Sequence, residues 1–344
     1  MDVVAYASWR IFCILPLLTM NIRKSIIYFF SLLAIATFSA CGGDDNTGSG
    51  EKPDNASRND NKNTVTTEAA VARLEFPHLH GGSSIVIVHR TGTDGVYDPD
   101  NVNYSTEWDC DLKSQRWSCY TLTKTNKVQK VSRYYGNPQY PDDPALTASQ
   151  RLDQDYYYGS SYGTSSNKND ISFDHGHICP SNDRRYSSEC NYQTFYMTNM
   201  QPQYKAFNGS HPNYNSGIWL KMENFVNKLG LSATDTLYVC KGGTIDKEEN
   251  ILTSLSGKLI VPKYFFSALL LKNSLGYRAI GFWFPHTNEW HGGDALATYA
   301  VSIDKLEELT GIDFFCNLPD SEEDKLESRE INDTYLKQQW GVDQ

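Results

Sequence analysis

The sequence has little positive charge for its length. Its 344 residues include 31 lysines and arginines against 41 aspartates and glutamates, so the formal net charge is −10 at pH 7. Because phosphate binding is largely electrostatic, this balance argues against a protein that holds nucleic acid through its overall charge. The basic and acidic residues are unevenly distributed along the chain. The segment LTKTNKVQKVSR, residues 122 to 133, has four basic residues and no acid, whereas acids gather in the N-terminal linker and in SEEDKLESREIND near the C-terminus.

Internal repeats and a second linker are also absent from the sequence. Hydrophobic residues make up 40% of the chain and aromatic residues 13%, which is enough for a substantial core. From about residue 77 the strand-like patterns follow one another without a polar interruption. We therefore predict one domain at residues 77 to 330, followed by a C-terminal tail at residues 331 to 344.

Long hydrophobic runs are scarce, and the clearest one lies near the N-terminus. Met20 begins MNIRK, which is followed by SIIYFFSLLAIATFSA and then Cys41. This order predicts a lipoprotein signal peptide at residues 1 to 40, with the true start at Met20, lipidation of Cys41 and a membrane-anchored, exported protein. A retained membrane helix is the alternative, because the run approaches the ~20 residues of a membrane span. Residues 41 to 76 are polar and predict a disordered tether.

Cysteine is sparse, with 8 residues in the whole chain. Six cysteines follow Cys41, and an even number in an exported protein suggests disulfide bonds. We predict that cysteines close in sequence pair with each other: Cys110 with Cys119, Cys179 with Cys190, and Cys240 with Cys316.

The patterns of the long domain predict an α+β fold with a mainly antiparallel sheet. Strand patterns occur in SSIVIVHRT, in NYSTEWDCDLKSQRWSCYTLT on both sides of a turn, and in TFYMTNM, DTLYVCKGG, KYFFSALLL and YRAIGFWF. Hydrophobic residues at helical spacing predict one helix from Ser216 to Leu229 and a second at residues 302 to 311. Runs of strands with few helices are typical of the α+β class.

The segment SFDHGHICPSNDR, residues 172 to 184, contains the highest density of candidate catalytic and metal-binding side chains. One explanation is that Asp174, His175 and His177 are ordinary polar residues of a loop. A second is a zinc pair, because residues i and i+2 of a strand face the same way, with His211 or Cys179 completing the site. A third is a general base, with His177 taking a proton from water beside a hydrated metal.

Two downstream segments favour the hydrated metal. TFYMTNMQPQ contains Asn199, and NYNSGIWLKMEN contains Asn215 and Glu223. A helical rise of ~1.5 Å per residue separates Asn215 from Glu223 by ~12 Å, so we expect one to bind the ion and the other to hold its waters. An amide oxygen with retained water suits Mg²⁺ better than zinc.

FDHGHICPSNDR, TFYMTNMQPQ and NSGIWLKMEN together resemble the DNA/RNA non-specific endonucleases, the ββα-metal group. The family pattern is Asp-Arg-Gly-His, then Thr-Asn-x-x-Pro-Gln, then Asn-x-Gly-x-Trp-x-x-x-Glu, and all three blocks occur in that order. The likeness covers about residues 83 to 328. It implies the ββα-metal nuclease fold, with a central, mainly antiparallel sheet flanked by helices. One position departs from the pattern, since His175 stands where the family has arginine.

The resemblance also implies roles for individual residues. His177 would be the general base, Asn215 the single direct ligand of Mg²⁺, and Glu223 its outer-shell partner. The metal could be replaced by Mn²⁺ or Ca²⁺, and the substrates would be the backbones of DNA and RNA, read without base specificity. The remaining implied site residues are Asp174, which fixes the motif, His175, which assists as a cation, and Asn199, which positions the base or the substrate.

Four residues are expected to contact the substrate: Lys130, Arg133, Arg184 and Gln203. The altered motif also leaves an alternative, in which the protein is a surface lipoprotein of the nuclease fold that binds nucleic acid or another polymer without cutting it.

Overall fold

The described part of the chain is built on a large antiparallel sheet. A computed structural model describes residues 58–157, 173–209 and 216–342. The strands are β1 Ser84–Arg90, β2 Val102–Asp109, β3 Ser114–Thr123, β4 Phe173–His177, β5 Met200–Tyr204, β6 Thr236–Gly243, β7 Ile251–Leu255, β8 Leu259–Pro262, β9 Tyr264–Asn273, β10 Gly276–Pro285 and β11 Ala300–Val301. The α-helices are α1 Ser188–Gln193, α2 Lys205–Asn208, α3 Ile218–Lys228, α4 Ile303–Thr310 and α5 Asp320–Glu327.

Seven strands form the main sheet in the order β1-β2-β3-β6-β9-β10-β11. Every neighbouring pair in it is antiparallel. Two hairpins, β4 with β5 and β7 with β8, form separate small sheets. This architecture confirms the predicted α+β class with a mainly antiparallel sheet.

Both faces of the main sheet are covered. Along β3, Trp117 and Cys119 pack on one face, whereas Tyr120 and Leu122 pack on the other, as the period of two requires. Central strands covered on both faces have near-continuous apolar sequences, which explains YFFSALLL in β9. Helices α4 and α5 lie on the Trp117 face, and α3 with the β4–β5 hairpin lies on the Tyr120 face.

Helix α3 confirms the helix predicted from Ser216 to Leu229. Its apolar stripe, Trp219, Met222 and Val226, is at most 1% exposed. The helix starts after Gly217, where a Cβ atom would lie 2.0 Å from the carbonyl oxygen of Phe207 at the end of α2. Glycine at this position therefore lets α2 and α3 approach each other closely.

Three predicted boundaries differ from the structure. TFYMTNM is not a strand: Met197–Asn199 form a 3-10 helix, and β5 begins at Met200. Residues 58–76, predicted as tether, pack on the domain, with Phe76 fully buried. The predicted tail also packs, because Tyr335–Trp340 form a helical turn whose tryptophan is 2% exposed.

The three predicted disulfide bonds are wrong for the structure, in which all six described cysteines are free thiols. Cys119 lies opposite Ser105 on β2, five residues before Cys110, a distance of about 16 Å along a strand. Disulfides need Cα atoms within about 7 Å, so Cys110 is out of reach. The residue opposite Cys119 on β6 is Cys240.

The predicted lipidation site Cys41 and the apolar run before it lie outside the described residues. Within them, no helix combines the length and apolar character needed to span a membrane.

Candidate active site

The β4–β5 hairpin presents both histidines of the first motif on one side. Because side chains alternate along a strand, His175 and His177 share a face, and Gly176 between them faces the other way. A Cβ atom on Gly176 would lie 2.2 Å from Cδ of Gln203 on the paired strand. The glycine of the motif is therefore required by the close packing of a side chain from β5.

His177 has the environment of a general base. It is 9% exposed, and its Nε2 atom has no hydrogen-bond partner among the described residues. The pKa of His177 lies well below its ordinary value, first because the ring is buried and next because of the Arg133 cation. The ring is therefore neutral at pH 7, and Nε2 is available to accept a proton.

His177 lines an open cavity of about 630 Å³, called the catalytic cavity below. Its walls come from β4, α2 and α3, from the segment before β4 and from residues 180–182 after it. The polar and aromatic side chains that line it include Arg133, Tyr140, Tyr157, Asp174, His175, His177, Asn182, Lys205, Asn208 and Glu223. A smaller cavity, about 190 Å³, lies behind Tyr140 and Tyr157 and has neither histidine in its lining.

The imidazole of His175 is held between two tyrosine rings. The ring centroids of Tyr140 and Tyr157 lie 3.8 Å and 3.9 Å from that of His175, with the planes inclined by 7° and 17°. Asp155 Oδ2 is 2.9 Å from Nε2 of His175. This carboxylate comes from outside the three motifs. No sequence signal pointed to Asp155, because it lies 20 residues before the histidine.

The zinc alternative finds no support in the described part of the chain. The groups of acidic, histidine and cysteine side chains that are close enough to share an ion include neither His175 nor His177. Cys179 is fully buried, and burial raises its pKa to about 12, so it is a thiol rather than a thiolate ligand. His211, the other expected zinc ligand, lies outside the described residues.

Asp174 and Asn199 hold the hairpin in place. Asp174 Oδ2 accepts a hydrogen bond of 3.0 Å from Asn208 at the end of α2. Asn199 is fully buried, and its amide binds both the backbone N–H and the carbonyl of Cys179, each at 2.9 Å. Asn199 thus fixes the backbone two residues after His177, and it faces the protein interior rather than the substrate.

Glu223 is paired with a lysine that the sequence did not indicate. Lys241 on β6 is 1% exposed, and its Nζ lies 3.2 Å from Oε1 of Glu223. Burial raises the pKa of Glu223, and the Lys241 cation opposes that rise. The Lys241 ammonium also lies 4.8 Å from the ring of Trp219. A lysine inside the apolar strand TLYVCKGG was the signal that could have revealed this pair.

Two of the four predicted substrate-binding residues, Arg133 and Lys130, are exposed. Arg133 lines the cavity, and its guanidinium lies 4.7 Å from the ring of Phe195. Phe195 in turn contacts His177 edge-on, at a centroid distance of 4.8 Å. Lys130 is exposed and donates a hydrogen bond of 2.7 Å to the hydroxyl of Tyr97.

The other two, Arg184 and Gln203, are fully buried. Arg184 donates to the carbonyl of Thr121 at 3.0 Å, and its guanidinium lies 4.5 Å from the ring of Tyr120. Gln203 packs against Gly176 on the far side of the hairpin from the histidines. Neither side chain has surface to offer a substrate, so we correct both expectations to structural roles.

Comparison with known proteins places these features in a family. A model of the DNA/RNA non-specific endonucleases matches residues 81–321. The chain is 31% identical over 224 residues to a nuclease of Nostoc sp., covering 59% of this chain and 70% of that protein. It is 24% identical to the mitochondrial nuclease EXOG of Xenopus laevis, covering 63% of this chain and 58% of the relative.

A structural comparison agrees on the fold. A chain from the crystal structure of the EndoG/EndoGI complex superposes with a TM-score of 0.51 and 16% sequence identity, covering 74% of this chain and 94% of that chain. The fold and the site therefore define a nuclease of the ββα-metal class. The chain belongs to the DNA/RNA non-specific endonuclease family, which confirms the resemblance inferred from its three motifs.

The family is metal-dependent, and the residues beside His177 fit a hard cation. Glu223 lines the catalytic cavity and offers carboxylate oxygen, the donor that Mg²⁺ prefers. Asn215, the predicted direct ligand, lies outside the described residues.

Proposed function

We propose that this protein hydrolyses the phosphodiester bonds of DNA and RNA with His177 as the general base and Mg²⁺ as the metal. The observation that supports this proposal most directly is the buried, unpartnered Nε2 of a neutral His177 on the wall of the catalytic cavity. Glu223 and Arg133 line the same cavity and supply a carboxylate and a cation.

His177 Nε2 takes a proton from the attacking water, and the water oxygen then attacks phosphorus in line with the leaving oxygen. The backbone of His175 favours the protonated ring, which stabilises the imidazolium that forms. Arg133 contacts a phosphate oxygen, and the Glu223 carboxylate, held by Lys241, would order the water of the metal when it is bound. When bound, Mg²⁺ supplies neutralisation of the phosphate charge and stabilises the leaving oxygen.

The substrate is selected by its backbone. Contacts to phosphate and sugar carry no base information, so action on both DNA and RNA is expected. The chain has a formal charge of −10, yet Arg133 lines the cavity, and Lys130 precedes it by three residues in a segment without acids. Local cations therefore provide the attraction that the overall charge does not.

A plasmid-nicking assay tests this proposal. We expect Mg²⁺-dependent nicking that EDTA abolishes, and a loss of about 10³-fold in the His177→Ala variant with unchanged DNA binding. Residual activity within tenfold of wild type in His177→Ala would reject that base. DNA binding without any cleavage by the wild type would support the alternative of a nuclease-fold binding protein. Nicking by the EDTA-treated wild type that Zn²⁺ restores and Mg²⁺ does not would support the zinc site instead.

His175 is the departure from the family pattern, and we propose that it contributes a cation to phosphate binding. Arginine is charged at every relevant pH, whereas histidine is not. His175→Arg should therefore raise activity most at alkaline pH, and His175→Ala should lower it throughout without abolishing it. A His175→Arg variant as inactive as His177→Ala at every pH would show that the position needs an imidazole.

We also propose that the protein is exported and anchored through a lipid on Cys41, as the order of charged, apolar and small residues before that cysteine suggests. Cys41→Ser should move the protein from the detergent phase to the aqueous phase. Continued partition of the variant with membranes would show that the apolar run is a retained anchor.

A further inference from the structure

A second group of carboxylates lies outside the catalytic cavity and has no part in the proposed reaction. Asp313, in the loop after α4, and Glu323 and Glu327 of α5 form what is called the acidic cluster below. One carboxylate oxygen from each of the three lies within 4.8 Å of the others. Two ligands on opposite sides of one Ca²⁺ ion are about 4.6–5.2 Å apart, so the three oxygens can share a single ion.

The acidic cluster is buried. Glu323 is 4% exposed and Glu327 is 9% exposed, and Asp313 is half-buried. Within the described ranges, no lysine, arginine or histidine forms an ion pair with any of the three. Buried carboxylates without a neighbouring cation are costly, because an unpaired charge loses its hydration.

A separate observation points to a missing ligand. Oε1 of Glu327 is completely buried and accepts no hydrogen bond from an N–H or hydroxyl group of the described residues, and the polar group next to Glu327 is the carboxyl of Glu307. Asn61 Nδ2 donates hydrogen bonds of 3.1 Å to Asp313 Oδ2 and 3.2 Å to Glu323 Oε1, and its Oδ1 is buried without a partner. Rotation of this amide by about 180° would turn its oxygen, the only atom of the group that can bind a cation, towards the two carboxylates. Native proteins rarely leave buried oxygen atoms unsatisfied in this number at one place.

The charges around the acidic cluster are mostly of the same sign. Glu307 of α4 lies beside Glu327, and burial followed by the neighbouring carboxylates raises the pKa of both. Burial also raises the pKa of Glu323 to about 8, with Asn61 opposing that rise. His78 opposes the rise at Asp313. These acids therefore share protons or bind an external cation.

We propose that Asp313, Glu323 and Glu327, with the side-chain oxygen of Asn61 after rotation of its amide, bind one divalent cation of the Ca²⁺ type. Ca²⁺ accepts six to eight oxygen ligands in flexible geometry, whereas Mg²⁺ demands a near-octahedral shell and retains water. Carboxylates and an amide from three separate segments fit the former. The site is independent of the nuclease reaction and of the metal in the catalytic cavity.

The cation would fasten the N-terminal segment to the helices. Residues 58–63 run along the loop between α4 and α5: the Asp320 N–H donates to the carbonyl of Arg58 at 2.9 Å, and the Asn63 N–H donates to Asn317 Oδ1 at 3.1 Å. Asn61 lies in the middle of this segment. A cation bound there joins the point where the chain enters the domain to α5.

Calorimetry on the full-length protein, stripped with EDTA and dialysed, tests the proposal. Ca²⁺ at about 100-fold excess over its dissociation constant should raise the Tm of wild type by about 5 °C, and Mg²⁺ at the same concentration should raise it less. Glu327→Gln and Asp313→Asn should lose the Ca²⁺ response. The matched control is Glu322→Gln, on the same helix with a side chain 44% exposed, which should keep it.

Titration calorimetry separates this site from the catalytic metal. Wild type should show a Ca²⁺ site that persists in Asn215→Ala and disappears in Glu327→Gln, and Glu327→Gln should keep Mg²⁺-dependent nicking at 25 °C. The proposal is overturned if wild type binds no Ca²⁺ beyond what Asn215→Ala removes. It is also overturned if Ca²⁺ leaves the Tm unchanged while Glu327→Gln raises it, since that result would indicate carboxyls that share protons.

Discussion

The catalytic cavity and the acidic cluster both contain buried carboxylates, but they treat the negative charge differently. Glu223 has Lys241 within 3.2 Å, and that lysine is itself 1% exposed. Glu323 and Glu327 have no ion-pair partner among the described residues, and their neighbours Glu307 and Asp313 are also acids. The protein thus supplies a cation to the carboxylate in the catalytic cavity, whereas no basic side chain among the described residues pairs with the acidic cluster.

This difference follows from the cost of burial. A buried carboxylate either finds a positive partner or takes up a proton, because an isolated charge in the interior is too costly. Lys241 opposes the effect of burial on the pKa of Glu223. In the acidic cluster burial is reinforced by like charges, so the pKa of Glu323 rises to about 8.

Among the changes that test this comparison, the removal of Lys241 should have the largest effect on stability and activity. Lys241→Met would leave Glu223 buried without its cation, which should cost about 3 kcal/mol of unfolding free energy and lower kcat. Glu223→Gln in the same chain should recover part of the stability but not the activity. Urea unfolding and nicking rates measure the two effects, with Lys241→Arg as the charge-preserving control. Equal stability of Lys241→Met and wild type would show that the pair contributes nothing.

Much of this arrangement could be predicted from the sequence, because it is encoded locally. The three motifs singled out His177 and Glu223, which line one cavity, and hydrophobic spacing located α3 within two residues at each end. Alternation and turn residues located most strands, since each strand signal lies within a few residues.

Contacts between distant segments could not be predicted. Asp155 reaches His175, and Lys241 reaches Glu223, only through the packing of separate elements. Arg184 and Gln203 look like surface residues by type, yet the neighbouring strands bury them completely. The disulfide prediction failed for the same reason, because strand register, not sequence distance, sets which cysteine faces Cys119.

The second-largest effect is expected in the pH dependence of stability, which should distinguish the two regions. An acid whose pKa is raised by folding stabilises the protein below its unfolded pKa, about 4.3 for glutamate, and that stability is lost as the pH rises through the folded value. Because the pKa of Glu323 is about 8, the Tm of the EDTA-treated protein should fall between pH 5 and pH 8.

Ca²⁺ should reduce this fall, since a bound cation favours the ionised carboxylates. The groups that face the acidic cluster and share in the titration are Asp304 and Glu307 from α4, Asp320 from α5, and His78. Glu323→Gln is the matched variant and should show a smaller fall without Ca²⁺. Identical pH curves for wild type and Glu323→Gln would contradict this account.

The smallest expected effect concerns the cation beside the proposed general base. Arg133 lowers the pKa of His177, second only to burial, and His177 must be neutral to accept a proton. Arg133→Gln should therefore raise the pKa of His177, so the acid limb of the kcat/KM profile should move to higher pH. The same change removes one phosphate contact, which should reduce the salt dependence of binding by about one unit of slope.

Arg133→Lys keeps the charge and should leave the acid limb in place. Arg133 is exposed, so salt should shrink the difference between the two variants. An acid limb that stays fixed in Arg133→Gln at low salt would show that burial alone keeps His177 neutral.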